Sequence, residues 1–294
     1  MRTNTWLKQN ASSLLGKRIA VTGTTGGLGR ELCRFLAELG ADLILLDRNA
    51  ERSQAFREEL LREWEGRSVE CISVDLSDFA SVKKATEELK KREIDCLIHN
   101  AGAYSIPRTI CDTGYDNVFQ INFASPYYMI RELLPSLRLK KGKVIAVGSI
   151  AHNYSKIDPE DIDFSTRSKA SKVYGNAKRY LMYGLLSLAE QEKEVDFCIA
   201  HPGISFTNIT AHYPKPIFAV IKHPMKVIFM KPKRACLSIL WGIYENCSSD
   251  EWIGPRYFDV WGLPKKKKLT TATPAERAQI AKRAENVYQI LQRK

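Results

Sequence analysis

Short apolar runs alternate with longer amphipathic stretches along most of this chain, and that alternation restricts the fold more than any other feature. The runs lie at 18–22, 42–47, 69–74, 95–99, 143–148 and 195–200. They are apolar throughout rather than at every second residue, which fits strands buried on both faces. Between them, helical periodicity occurs near 28–39, 50–64, 79–91, 113–138 and 172–191. Strand–helix alternation predicts a single-domain, doubly wound α/β fold: a parallel sheet of about seven strands with helices on both faces. A last short strand is expected around Tyr257 and Phe258. With 294 residues and 44% apolar content, the chain can bury one large core. Ligands of such sheets bind beyond the C-terminal strand ends, where the strand order reverses.

The first strand supplies a candidate ligand site. Arg18-Ile19-Ala20-Val21-Thr22 runs into Gly23-Thr24-Thr25-Gly26-Gly27-Leu28-Gly29. A helical pattern follows, with Leu28, Leu32, Phe35, Leu36 and Leu39 on one face and Gly40 as its stop. Strand, glycine-rich turn and helix start together make a cradle for a diphosphate. Gly23 permits the tight turn, Gly27 allows phosphate to approach the backbone, and Gly29 lets helix and strand pack closely. The helix start then offers free N–H groups and a positive dipole end. The next strand ends in Asp47, at the distance expected for a residue that grips a ribose.

A second constellation carries chemistry. Tyr174 and Lys178 are four residues apart, which places them on one helix face about one turn apart. A phenol with a pKa of about 10 is a poor acid/base at neutral pH, and lowering it by about three units takes about 4 kcal/mol. An ammonium about 4 Å away, at an effective dielectric near 20, supplies about that much.

Together these pieces resemble the short-chain dehydrogenase/reductase family. The glycines follow the Gly-xxx-Gly-x-Gly spacing of that family. Its other marks occur in order: Asp75-Leu76, Asn100-Ala101-Gly102, Asn122, Ser149, Tyr174 with Lys178, then Pro202-Gly203 with Thr207. The resemblance spans 14–264. It is nearest to the retinol-dehydrogenase-like branch, through the 25-residue gap from Ser149 to Tyr174, Ser149-Ile150-Ala151-His152, His201-Pro202-Gly203 and Gly254-Pro255-Arg256-Tyr257-Phe258. The chain departs from the family at His99, where an asparagine is usual, and at Asn176-Ala177 before the lysine.

The resemblance implies a Rossmann-type NAD(P)-dependent oxidoreductase that moves a hydride between nicotinamide and an apolar alcohol, ketone or aldehyde. Tyr174 is then the general acid/base, and Lys178 lowers its pKa and holds the nicotinamide ribose. Ser149 polarises the substrate oxygen, and Asn122 anchors a water leading from Lys178 to solvent. Gly23, Gly27, Leu28, Gly29, Asp47, Arg48, Asp75, Leu76, Asn100, Gly102, Pro202 and Thr207 join Tyr174 and Lys178 around the coenzyme. Asp47 would accept hydrogen bonds from a free ribose diol, whereas Arg48 would bind a 2′-phosphate; Asp47 inclines the choice from NADP(H) to NAD(H).

The segment 204–232 is expected to form an apolar substrate lid, and within it 217–230 is too short and too charged to cross a bilayer. A helical pair packed on its own domain or on a dimer mate is a second reading of this stretch, and peripheral membrane contact through 217–230 is a third. Residues 265–294 are read as a basic linker, Lys265-Lys266-Lys267-Lys268, followed by a helix with Ala275, Ile280, Ala284, Val287 and Ile290 on its apolar face. That face is expected to dock on the core or on a second subunit of a homo-oligomer. The net charge of +12 comes without a nucleic-acid fold signature, so no specific nucleic-acid partner is expected. Scattered cysteines without a Cys-x-x-Cys pair, and isolated histidines, point to a reducing cytoplasm and to no metal. Two other functions stay open: a silent NAD(P)-binding scaffold, and an interaction protein at a membrane surface.

Overall fold

A computed structural model describes residues 3–203, 230–247 and 250–294. Its strands are β1 (Arg18–Thr22), β2 (Asp42–Asp47), β3 (Val69–Ser73), β4 (Cys96–His99), β5 (Lys143–Val147), β6 (Asp196–Ala200), β7 (Glu251–Tyr257) and β8 (Trp261–Lys268). They form one 8-stranded sheet in the order β3-β2-β1-β4-β5-β6-β7-β8. All neighbours are parallel except β7 and β8. The order reverses between β1 and β4, and the glycine-rich turn leaves β1 at that break.

The helices are α1 (Thr3–Asn10), α2 (Gly27–Glu38), α3 (Ala50–Glu63), α4 (Phe79–Lys90), α5 (Asn117–Phe119), α6 (Ser125–Leu139), α7 (Ala170–Gln191), α8 (Pro232–Ala235), α9 (Leu237–Tyr244) and α10 (Pro274–Gln292). Each strand feeds two cores, which is why the strands are apolar on both faces. On β5, Val144 and Ala146 join the core with α4, α6, α7 and α10. Ile145 and Val147 join the opposite core with α1, α2, α3 and α9. Phe119, Phe123 and Tyr180 pack ring against ring, with centroids 5.1–5.5 Å apart.

Three departures from the sequence reading have physical causes. The expected helix at 113–138 starts only at Asn117, where the Asp116 carboxylate caps the Val118 amide. It then passes through a π-helical turn, Gln120–Ala124, before α6. The tetralysine stretch is not a linker but the body of β8, in register with Glu251–Gly254. Lys266, Lys267 and Lys268 are paired with Glu245, Asp259 and Asp250 at 2.7, 2.7 and 2.6 Å. Lysines on an outer strand discourage edge-to-edge sheet pairing.

Helix α10 docks on its own chain, against α7 and α6. Ile280, Ala284, Val287, Tyr288 and Leu291 are buried, and the named Ile290 is 43% exposed. At its start, Glu276 takes two hydrogen bonds of 2.7 Å from Arg179 of α7. The Arg179 side chain is 3% exposed, so removing the carboxylate strands a buried cation. Glu276→Ala should cost about 3 kcal/mol of stability, measured by urea unfolding.

Candidate active site

At the break between β1 and β4, backbone meets backbone. Gly23 has φ +71°, and a Cβ on it would lie 2.9 Å from Ala101 Cα. A Cβ on Gly29 would lie 2.2 Å from the Gly23 carbonyl oxygen, whereas at Gly27 nothing is nearer than Pro232 Cγ at 3.8 Å. Asn100 locks the two turns together: its Nδ2 donates to the Thr22 and Gly23 carbonyls at 3.0 Å each. Helix α2 has Gly26 at its N-cap and no side-chain cap, leaving its first N–H groups for an anion. This cradle fits the diphosphate of a dinucleotide.

Asp47 lies at the end of β2 as expected, but its carboxylate is committed elsewhere. It is buried and accepts hydrogen bonds from the Thr24 hydroxyl, the Thr25 amide at 3.1 Å, the Thr25 hydroxyl at 3.3 Å and the Ser53 hydroxyl at 3.0 Å. A carboxylate has about four lone-pair sites, so Asp47 here fastens the glycine-rich turn to β2 and α3. Arg48 is exposed beside it. Asp75 accepts from the Ser77 amide and hydroxyl at 2.9 and 2.6 Å, shaping the turn after β3. Leu76 is buried and its carbonyl receives the Ser125 hydroxyl at 2.7 Å. Pro202 is buried after β6. Thr207 and the lid stretch 204–229 lie outside the described residues.

Asn122, Ser149, Tyr174 and Lys178 come together at the same edge of the sheet. Gly175 allows α7 to approach: a Cβ there would sit 2.3 Å from the Ala151 carbonyl oxygen. Ser149 opens a 3-10 turn after β5, accepts the Ala151 amide at 3.2 Å and hydrogen-bonds Tyr174. Lys178 donates to the Val147 carbonyl at 2.9 Å, with its ammonium 5.7 Å from the Tyr174 ring centroid. Asn122, inside the π-turn, donates to the Ala103 and Val118 carbonyls at 2.8 Å each. Its Oδ1 would be 2.7 Å from a Cβ on Gly102, and Lys178 Nζ 3.6 Å, so only glycine fits at 102. Turns of the π type often occur at functional sites.

The electrostatics differ from the sequence expectation. Burial pushes the Tyr174 phenol up to about 12, opposed by the Ser149 hydrogen bond. Burial also pushes the Lys178 ammonium down to about 8. Lys178 is not among the groups that move the phenol. Burial is the largest influence on both groups, so proximity along the helix does not by itself set the ionisation of Tyr174.

Several supporting residues were not singled out from sequence. The His152 ring meets the Ser149 carbonyl at 2.6 Å and the Thr271 hydroxyl at 2.9 Å. Arg179 donates to the His152 and Thr271 carbonyls at 3.1 and 2.8 Å, tying the start of α10 to the Ser149 turn. Tyr104 packs edge-on against Tyr174, centroids 5.3 Å apart. Beside Tyr174, a cavity of about 160 Å³ is lined by Ile106, Val118 and Val173, with Ser105 and Ser168 among its polar groups. The Ser-x-Ala-His stretch was the one available signal for His152.

Comparison with known proteins agrees with this arrangement. The short chain dehydrogenase family profile matches residues 17–159. The dehydrogenase/reductase SDR family member FEY of Arabidopsis thaliana is 29% identical over 258 residues, 79% of this chain and 68% of that protein. Human retinol dehydrogenase 13 is 27% identical over 207 residues, 68% of this chain and 62% of that protein. A crystal structure of an uncharacterised protein from Mycobacterium paratuberculosis superposes with a TM-score of 0.75 at 22% identity, covering 96% of this chain and 94% of that one, and shows the same fold. By this profile and these relatives, the chain is similar to the short-chain dehydrogenase/reductase family. It is an NAD(P)-dependent oxidoreductase of CH–OH and C=O groups.

The cradle makes a sharp distinction between two glycines. Gly29→Ala should unfold the turn or lower Tm by several degrees, because its Cβ would collide with a backbone carbonyl. Gly27→Ala, whose Cβ would meet only Pro232 Cγ at ordinary contact distance, should leave Tm unchanged; differential scanning calorimetry of both variants checks this.

Proposed function

We propose that this protein interconverts an apolar carbonyl and its alcohol, with Tyr174 exchanging the proton. The observation that carries this reading is the convergence of Ser149, Tyr174 and Lys178 beside the phosphate cradle, with Ser149 hydrogen-bonded to the phenol. The bound nicotinamide supplies or accepts the hydride. Tyr174, held as a neutral phenol, can donate a proton to a carbonyl oxygen in reduction and takes it back from the alcohol in oxidation. Ser149 steadies the same oxygen by a hydrogen bond. Lys178 contributes its charge below about pH 8 and, with Asn122, holds the floor of the site.

Tyr104, Ile106, Val118 and Val173 support an apolar substrate, in keeping with the retinol-dehydrogenase-like resemblance. Among the described residues, no helix is long and apolar enough to cross a membrane. A cover over that substrate from 204–232 belongs to this proposal, with membrane contact through 217–230 as the alternative role of the same stretch.

For the coenzyme, Asp47 supports NAD(H). Its 3.3 Å contact to the Thr25 hydroxyl is the one that would yield to a ribose diol, and its charge disfavours a 2′-phosphate. Arg48 is the opposing influence. A comparison of kcat/KM with NADH and NADPH should favour NADH, and Asp47→Asn should narrow the ratio at least about tenfold. A tenfold preference for NADPH in the unmodified protein would give the decision to Arg48.

The proton donor has a direct test. In Tyr174→Phe, carbonyl turnover with a panel of apolar ketones and aldehydes should fall by about 10²-fold or more, with coenzyme affinity retained. Unchanged turnover would remove Tyr174 from the reaction.

A further inference from the structure

His99 occupies the last position of β4, where the sequence departs from its family, and none of the chemistry above uses it. The ring is 1% exposed, and neither nitrogen has a hydrogen-bond partner among the described residues. Strand alternation shows which way it points. Leu97, two residues earlier, and Ala146, its partner in register on β5, both face the core that contains α7. The Lys178 ammonium descends from α7 on that same face and is bonded to Val147, the residue after Ala146. Neighbouring strands are about 4.8 Å apart, so imidazole and ammonium share one buried space. Lys178 acts on the ring electrostatically: burial first, and this lysine second, push His99 down to about 3, so it is neutral at any working pH.

A neutral imidazole has one donor and one acceptor nitrogen. A buried ring with both unmet is the situation in which proteins enclose a water molecule. We propose that His99 is a positioning residue that accepts a hydrogen bond from a buried water, whose oxygen in turn accepts from the Lys178 ammonium. This holds the lysine charged at the floor of the site. The inference rests on the catalytic reading given above. Among the described residues, the titratable group beside the pair is Tyr174 of α7, its ring centroid 5.7 Å from the ammonium; Asn122 of the π-turn and Thr22 of β1 do not titrate.

The sign of the effect follows directly. A partner for the ammonium favours the charged form, so losing it lowers the pH at which Lys178 deprotonates. Carbonyl reduction by the unmodified enzyme should fall as pH rises through about 8, where burial has placed that lysine. In His99→Leu this limb should move down by about one pH unit, a tenfold change in proton affinity, with coenzyme binding retained. His99→Asn, which restores an acceptor and a donor, should bring the limb back towards its original position. A general loss of stability would lower Tm without moving the limb.

A limb that stays in place in well-folded His99→Leu overturns the proposal. Should that variant fail to fold, ¹⁵N NMR of His99 in the unmodified protein decides instead. A hydrogen-bonded acceptor nitrogen supports the bridge, and a free one refutes it. Failure of the catalytic reading is distinguishable, because Tyr174→Phe would then keep its turnover whatever the His99 nitrogen reports.

Discussion

The contact between two turns at the reversal of strand order governs the rest of this molecule. Thr22 to Gly29 and Asn100 to Gly102 approach so closely that Ala101 excludes a side chain at Gly23, while the Gly23 carbonyl closes off Gly29 and Asn122 closes off Gly102. The excluded volume decides which ends of the helices face the cleft. It turns the start of α2 towards a diphosphate and brings the floor at Gly102 under Asn122 and Lys178. Hydrophobic burial builds the two cores on either side, but it is not directional. The direction comes from Asn100, which donates to both carbonyls of the facing turn.

Much of this was legible in the order of residues. The β1 to β6 strands fall within a residue or so of the apolar runs, because strands buried on both faces carry an unbroken apolar signal. The four-residue spacing of Tyr174 and Lys178 likewise reports a shared helix face. Their ionisation was not legible, since it depends first on burial. Helix α9, Leu237–Tyr244, escaped the reading because it is apolar on nearly every side and shows no period. The tetralysine stretch misled for a different reason: its partners, Glu245, Asp259 and Asp250, are distant in sequence or hidden across a hairpin. In α10, Tyr288 and Leu291 take the inner face and turn Ile290 outward.

The C-terminal helix belongs to the functional core rather than to an appendage. Arg179, four residues along α7 from Gly175, reaches Glu276, Thr271 and the His152 carbonyl. His152 meets both Thr271 and the Ser149 carbonyl. The turn that presents Ser149 is therefore braced from the end of the chain. Low accessibility of Arg179 makes these bonds stronger than surface pairs of the same length.

Asp47 has the most practical consequence. Its carboxylate holds the glycine-rich turn closed, so under the proposed coenzyme role architecture and selectivity would share one side chain. Efforts to retarget the enzyme by exchanging that acid for a neutral or basic residue would loosen the turn at the same stroke. A workable redesign has to supply Thr24, Thr25 and Ser53 with substitute acceptors before it alters the charge.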